Sequence, residues 1–256
     1  MDLPLSSLDC IALAWFGLLV IGYKLVGMIP AVEKRNIIAA VQAQRYRWMH
    51  TMVRRDNRVV DTFVVGNLGQ GNAFFASTSA IALGGLTTVL GKGESAREVM
   101  QQLPYAAPMP PLLWELKVIF MASIFVYAFF KFAWAFRMSH YTGIMIGATP
   151  LLTAATERQC NEHAHRCAII SGLAAEHSSS GLRAFYYSIA ALAWFFHPVL
   201  FIAATTWVLL ILTRRDYFSI SRAVLAEEND LSTAQYPGLA GEAARTAAKI
   251  DTGGGL

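Results

Sequence analysis

Four long apolar runs, separated by polar stretches of differing character, organise the chain. The first is Cys10–Ile29 (CIALAWFGLLVIGYKLVGMI). As a helix it rises about 30 Å, the thickness of a bilayer's hydrocarbon core. Lys24 near its end is placed to snorkel to the interface, and Pro30 closes the run. The second lies within Val59–Leu90. Its first half carries Asp61, Asn67, Gln70 and Asn72 among Gly66, Gly69 and Gly71, while its second half (AFFASTSAIALGGLTTVL) is apolar and small. The third is Leu112–Phe136, with Glu115 and Lys117 at its entrance and Lys131 near its exit. The fourth runs from about Ala184 to Leu212 and stops at Arg214-Arg215-Asp216.

The polar segments between these runs are not alike. Residues 33–58 hold Lys34, Arg35, Arg45, Arg47, Arg54, Arg55 and Arg58. At 100° per residue Ile37, Val41, Trp48 and Met52 share one stripe, and Asn36, Arg47, His50 and Arg54 fall opposite. This predicts an amphipathic cytoplasmic helix. Such a helix lies in the interface on anionic lipid, or packs on its own bundle or a partner through the same apolar face. Its candidate interface residues are Trp48, Arg47, Arg54 and Arg55. Residues 91–111 read as a loop, with glycines at the start and prolines at the end. The tail from Glu227 is small, polar and glycine-ended, the signature of disorder. The domain reading is a transmembrane helical domain over 1–215 and a C-terminal tail over 216–256.

Composition agrees with a bilayer protein. The chain is 55% hydrophobic and only 15% charged, against about a quarter charged in soluble domains. The net charge of +4 has no nucleic-acid-binding motif behind it, and basic residues collect on the cytoplasmic side of membrane proteins. No basic n-region precedes the first run, so it reads as a retained span and not as a cleaved signal. The three cysteines, Cys10, Cys160 and Cys167, match no disulfide or zinc framework, and Cys10 reads as simply buried.

Topology is less settled. The 33–58 segment is the most basic and belongs in the cytoplasm. With four spans both termini lie outside, which leaves Arg214, Arg215 and Arg222 outside against the charge rule. A crossing by Tyr141–Ala155 would remove the conflict, but this segment contains a proline and falls short of the ~20 residues a span requires. The expectation is therefore four spans, with Tyr141–Ala155 re-entrant or interfacial.

The pieces NRVVD (57–61), FFAST (74–78), HYTGIMIGATP (140–150) and GLRAFYYSIAALAWFFHPVLFIAATTWVLLILTRR (181–215) resemble an uncharacterised membrane-protein family of bacteria and plants, catalogued as a domain of unknown function. The resemblance covers roughly residues 55–215. It implies a helical membrane fold of about four spans; the expected location is a bacterial inner (cytoplasmic) membrane. It implies no activity and brings no catalytic residue.

Three constellations are candidates for chemistry. On the second span Asp61, Asn72 and Ser79 lie at i, i+11 and i+18, on one helical face, and Asn67, Gly71 and Thr78 form a second stripe. Polar groups in lipid cost a few kcal/mol unless they face protein or water, so both stripes are expected to point inward, as helix glue or as a solute path. His197-Pro198 falls near the middle of the fourth run. An intramembrane ionisable residue is a candidate site, and the proline frees a carbonyl near Trp194 that needs a donor. In Thr156–His177, Cys160, His163 and Cys167 share a face and Glu162 and His165 form Glu-x-x-His. The ligand count is short of a zinc or di-metal site, so metal binding stays open, and the segment reads as a solvated cytoplasmic helix. There is no Walker A loop, dinucleotide fingerprint or nucleophile elbow, hence no cofactor and no clear enzyme.

Two functions survive. One is an accessory or scaffold subunit that forms a homo-oligomer or joins a larger membrane complex. The other is a small-solute or ion channel or transporter with a path along Asp61, Asn67, Gln70, Asn72 and His197.

Overall fold

The computed structural model describes residues 5–33, 36–101, 110–151, 153 and 155–225. The tail expected to be disordered lies outside these residues. The described residues form eight helices and no strand: α1 (Ser7–Gly27), α2 (Pro30–Glu33), α3 (Ile37–Met52), α4 (Val59–Gly91), α5 (Gly93–Gln101), α6 (Pro111–Gly147), α7 (Glu157–Ala193) and α8 (Pro198–Tyr217), followed by a short helical stretch at 220–225. Four of them, α1, α4, α6 and α8 with its extension to Leu225, are long and apolar enough to cross a membrane. The protein is thus an all-α, multi-pass transmembrane bundle of about four spans.

Local chemistry sets several helix starts. Ser6 and Asp9 form a capping box on α1, with Ser6 Oγ accepting from the Asp9 N–H at 3.2 Å and the Asp9 carboxylate accepting from the Ser6 N–H at 3.1 Å. Thr156 and Gln159 repeat the device on α7. In each case two otherwise orphaned backbone donors are satisfied reciprocally. The segment expected to be a loop, 91–111, contains α5, whose first turn carries a Glu94–Arg97 ion pair at 3.8 Å. Tyr141–Ala155 is neither re-entrant nor a separate crossing. Its first half continues α6 to Gly147, and its remaining described residues lie outside any helix.

Side-chain contacts give the direction of every long helix. Phe75 stacks on Phe132 at 5.0 Å and Gly69 abuts Ser139, so α4 and α6 are antiparallel. Phe132 lies beneath Gly181, and Lys117 bonds Trp194, so α6 and α7 are antiparallel as well. By contrast α1 and α8 run parallel, with Asp9 bonded to Trp194, Trp15 to Thr206 and Tyr23 to Asp216. The fourth apolar run is therefore not one helix. It breaks at Trp194–His197, where α7 ends and the chain reverses into α8. One end of the bundle gathers Asp9, Gly93, Trp114, Lys117 and Trp194, and the other gathers α3, the α6–α7 connection and the end of α8.

The reversal has a chemical cause. Pro198 has no N–H to offer the Trp194 carbonyl and clashes with continued helix. Lys117 Nζ, 3% exposed, donates to that carbonyl instead at 2.7 Å. Asp9, also 3% exposed, accepts from the Trp194 indole at 2.8 Å. The need for a donor at Trp194 was readable from the proline; that Lys117 is the donor was not. Around this knot Trp114, Val118, Met121, Phe201 and Leu212 form the larger core cluster. A second core at the α3 end joins Met49, Met52, Val53, Val65, Ile146, Cys160 and Cys167. Cys10, expected inside, is exposed, because α1 packs mainly on α8 and turns its other faces outward.

Two substitutions test this arrangement. Lys117→Met should leave the Trp194 carbonyl unpaired and cost about 1–3 kcal/mol, read as a lower unfolding temperature in lipid nanodiscs. Gly181→Ala would place a Cβ 2.8 Å from the Phe132 ring. Overpacking of that kind costs about 1–3 kcal/mol, and a variant as stable as wild type would show that α6 and α7 do not cross so closely.

Candidate functional site

Asp61 stands at the N-terminal end of α4 and is fully buried. Its Oδ1 accepts from the Trp48 indole at 2.6 Å and from Arg55 at 2.7 Å. The carboxylate thereby ties α3 and its following turn to α4. Trp48 lies on the stripe expected to meet either lipid or protein; it turns its indole inward onto Asp61, and Met52 of the same stripe is fully buried. His50, placed on the polar face, is buried too. The helix α3 packs on α7 with contacts on more than one face, so the segregation read from its sequence is incomplete. Arg54 caps the His50 carbonyl and reaches Glu157 and Asn161 on α7 at 3.5 and 3.4 Å. Arg47 stands partly exposed on α3.

The two polar stripes of α4 part company. Asp61, Asn72 and Ser79 are all buried with Val65 and Gly69 against α6, as an inward stripe should be. In the second stripe Asn67 and Gly71 are exposed and point away from the bundle, as does the neighbouring Gln70, while Thr78 is half-buried. The second stripe was expected inside, but α4 packs chiefly on α6 and can cover only one face. His197 is likewise not a mid-span group. It is the N-cap of α8, partly exposed at the Asp9 end, its Nδ1 accepting from the Val199 N–H at 3.2 Å.

The cysteine and histidine face of α7 is structural in its contacts. Cys160 and Cys167 are buried in the α3-end core, where burial pushes the Cys167 thiol up to about 11. A thiol so placed is not a ready nucleophile or metal ligand. His163 turns to the Met145 carbonyl at 2.9 Å, Glu162 pairs with Arg158 at 2.9 Å, and His165 lies against the Tyr46 ring. Among the described residues no three His, Cys, Asp or Glu side chains are grouped to hold a metal ion. The segment read as a solvated helix is the first half of α7 and carries much of this core.

What the four helices do assemble is a polar cleft of about 170 Å³. From α3 comes Arg45, from α4 Asn72, from α6 Ser139 and Thr142, and from α7 Ser171, Ser178 and Ser179. Ser139, Thr142 and the Asn72 amide each donate to a carbonyl one turn back on their own helix, at 3.0, 2.9 and 3.1 Å. Among the described residues no carboxylate lines the cleft. Burial lowers the Arg45 pKa from its ordinary value. Of these residues only Asn72 stood out in the sequence. The spacing of Ser171, Ser178 and Ser179 at i, i+7 and i+8 was a legible signal of one face, but nothing in the sequence set Arg45 opposite them.

The model of a family described as a protein of unknown function, DUF599, matches residues 11–221, and the chain belongs to that family. No curated protein and no solved structure matches it.

Asp61→Ala should strand the Trp48 indole and Arg55 and destabilise the α3–α4 contact by about 1–3 kcal/mol, seen as faster amide exchange across α3 and a shifted tryptophan emission. Cys160 and Cys167 should resist maleimide in the folded protein and react only after denaturation. Rapid labelling of Cys167 at pH 7 would contradict the packing described.

Proposed function

We propose that the protein is a structural subunit of the membrane that pairs with a second copy of itself through the outer face of α4. The observation that carries this is the composition of that face. At thirty-three residues, α4 rises about 50 Å, well beyond a hydrocarbon core of about 30 Å. Its exposed positions Val60, Phe63, Asn67, Gln70, Phe74, Ser77, Ile81 and Gly84 recur at alternating steps of three and four. That is the spacing of a helix–helix seam, in which an isolated amide sets register.

The chemistry favours a copy of the same chain as occupant. The only charged residue of α4 is Asp61, and it is buried, so two such faces meet without like-charge repulsion. A Cβ added at Gly66, Gly71, Gly84 or Gly85 would meet nothing within 4 Å, which leaves room for close approach of a neighbouring backbone. Asn67 and Gln70 both donate and accept, so each satisfies its counterpart across a two-fold axis. In this reading the α3 end, with Arg54, Arg55, Arg137, Arg214 and Arg215, faces the cytoplasm. The bilayer is a bacterial cytoplasmic membrane with anionic headgroups at that end.

The test is the mass of the purified full-length protein in nanodiscs. Wild type should be a dimer, Gly71→Leu should shift it to a folded monomer, and Gly17→Leu on α1, where a Cβ also meets nothing within 4 Å, should remain dimeric. A wild-type monomer in both nanodiscs and mild detergent removes the proposal, and an unchanged Gly71→Leu dimer moves the interface elsewhere.

A further inference from the structure

We propose that the cleft between α3, α4, α6 and α7 is a binding site for a phosphate group, with Arg45 as its cationic anchor and the Ser171, Ser178 and Ser179 hydroxyls as its donors. This inference does not depend on self-association.

The argument begins with what the lining residues lack. Among the described residues Arg45 has no hydrogen-bond or ion-pair partner, although its side chain is partly buried. A guanidinium carries five N–H donors and stays charged in proteins. Its partial burial weakens the hydration of the guanidinium, and an acceptor in the cleft would restore what burial removes. Burial is the one cause acting on its pKa, with no carboxylate in opposition. Across the cleft Ser171, only 6% exposed, has no hydrogen-bond partner among the described residues, and neither do Ser178 and Ser179. The Asn72 amide spends one N–H on its own helix.

The site therefore offers one fixed positive charge and several unspent donors, with no negative group to compete. That is the complement of an oxyanion. Arg is favoured wherever carboxylate or phosphate is bound bidentately, and three hydroxyls from one helix face suit the several oxygens of a phosphate better than the two of a carboxylate. At about 170 Å³ the space is small, below the roughly 300–1,000 Å³ of sites that enclose a drug-sized molecule. It suits a single polar group. A free phosphate ion and the headgroup of a phospholipid present the same chemistry. Leu68, 48% exposed, is the least covered residue of the lining, and it stands on the outward side of α4, where lipid has access.

The experiment uses full-length protein in neutral phosphatidylcholine nanodiscs. Inorganic phosphate is titrated by calorimetry in one arm. In the other, nanodiscs doped with phosphatidic acid are compared with undoped ones by unfolding temperature, since a ligand of the native state raises it. Arg45→Gln should weaken the response roughly tenfold or more, as loss of a charge-assisted contact does, and Arg45→Lys should lose less. Ser171→Ala combined with Ser178→Ala should weaken it while preserving the charge. Arg158→Gln, an exposed arginine already paired with Glu162, should leave it unchanged. A response to inorganic phosphate assigns the site to a free anion, and a response to phosphatidic acid alone assigns it to a headgroup. If Arg45→Gln does not fold, the double serine variant and Arg45→Lys decide the matter. No response in either arm, or one equally reduced by Arg158→Gln, overturns the proposal. Monomer and dimer should respond alike, so this result is independent of the assembly test.

Discussion

The hydrogen bond from Lys117 to the Trp194 carbonyl is the interaction on which the architecture turns. A proline in an apolar run can bend a helix or end it. Here the freed carbonyl faces a buried ammonium at 2.7 Å, and the Trp194 indole is held by Asp9. With both groups satisfied off-helix, the chain reverses at Trp194–His197. The run between Ala184 and Leu212 becomes the end of one long helix and the start of another. The direction of α8, and hence which end of the bundle receives its arginines, follows from that single local event.

The reversal also answers the charge problem raised by the sequence. A straight fourth helix would set Arg214 and Arg215 opposite the basic 33–58 segment. With α7 running antiparallel to α6 and α8 returning parallel to α1, both basic groups lie at the α3 end. The extra traverse that brings them there is made by α7 and not by Tyr141–Ala155. The same packing explains the fate of α4. Chiefly one neighbouring helix covers it, so Asp61, Asn72 and Ser79 are enclosed while Asn67 and Gln70 face outward. A polar residue on a span therefore has two distinct roles here, one inside the bundle and one on its surface.

At the α3 end the helices run past the core of small and sulfur-bearing side chains and leave a polar gap. Its residues come from four separate helices, and three of the hydroxyl or amide groups are spent on their own backbones. The remaining donors and the Arg45 guanidinium share one space without an acceptor of their own. This combination of burial and missing partners distinguishes the cleft from the His197 and cysteine–histidine constellations, whose groups all find partners or packing within the chain.

Much of the fold was legible because helix length and hydropathy are local properties. Bilayer thickness sets a minimum run of apolar residues, so the spans at Cys10–Ile29, Val59–Leu90 and Leu112–Phe136 could be read directly, with ends shifted only by caps and continued helix. The inward stripe of α4 was also readable from its period. What the sequence could not determine was anything decided by a distant partner. Whether Pro198 bends or reverses the chain depends on Lys117, which lies 77 positions before the Trp194 whose carbonyl it holds. Whether Trp48 meets lipid or Asp61 depends on how α3 folds back. Which of two polar stripes is covered depends on how many neighbours α4 has. The cleft belongs wholly to this second class, since periodicity places residues on a face but only tertiary packing decides what that face meets.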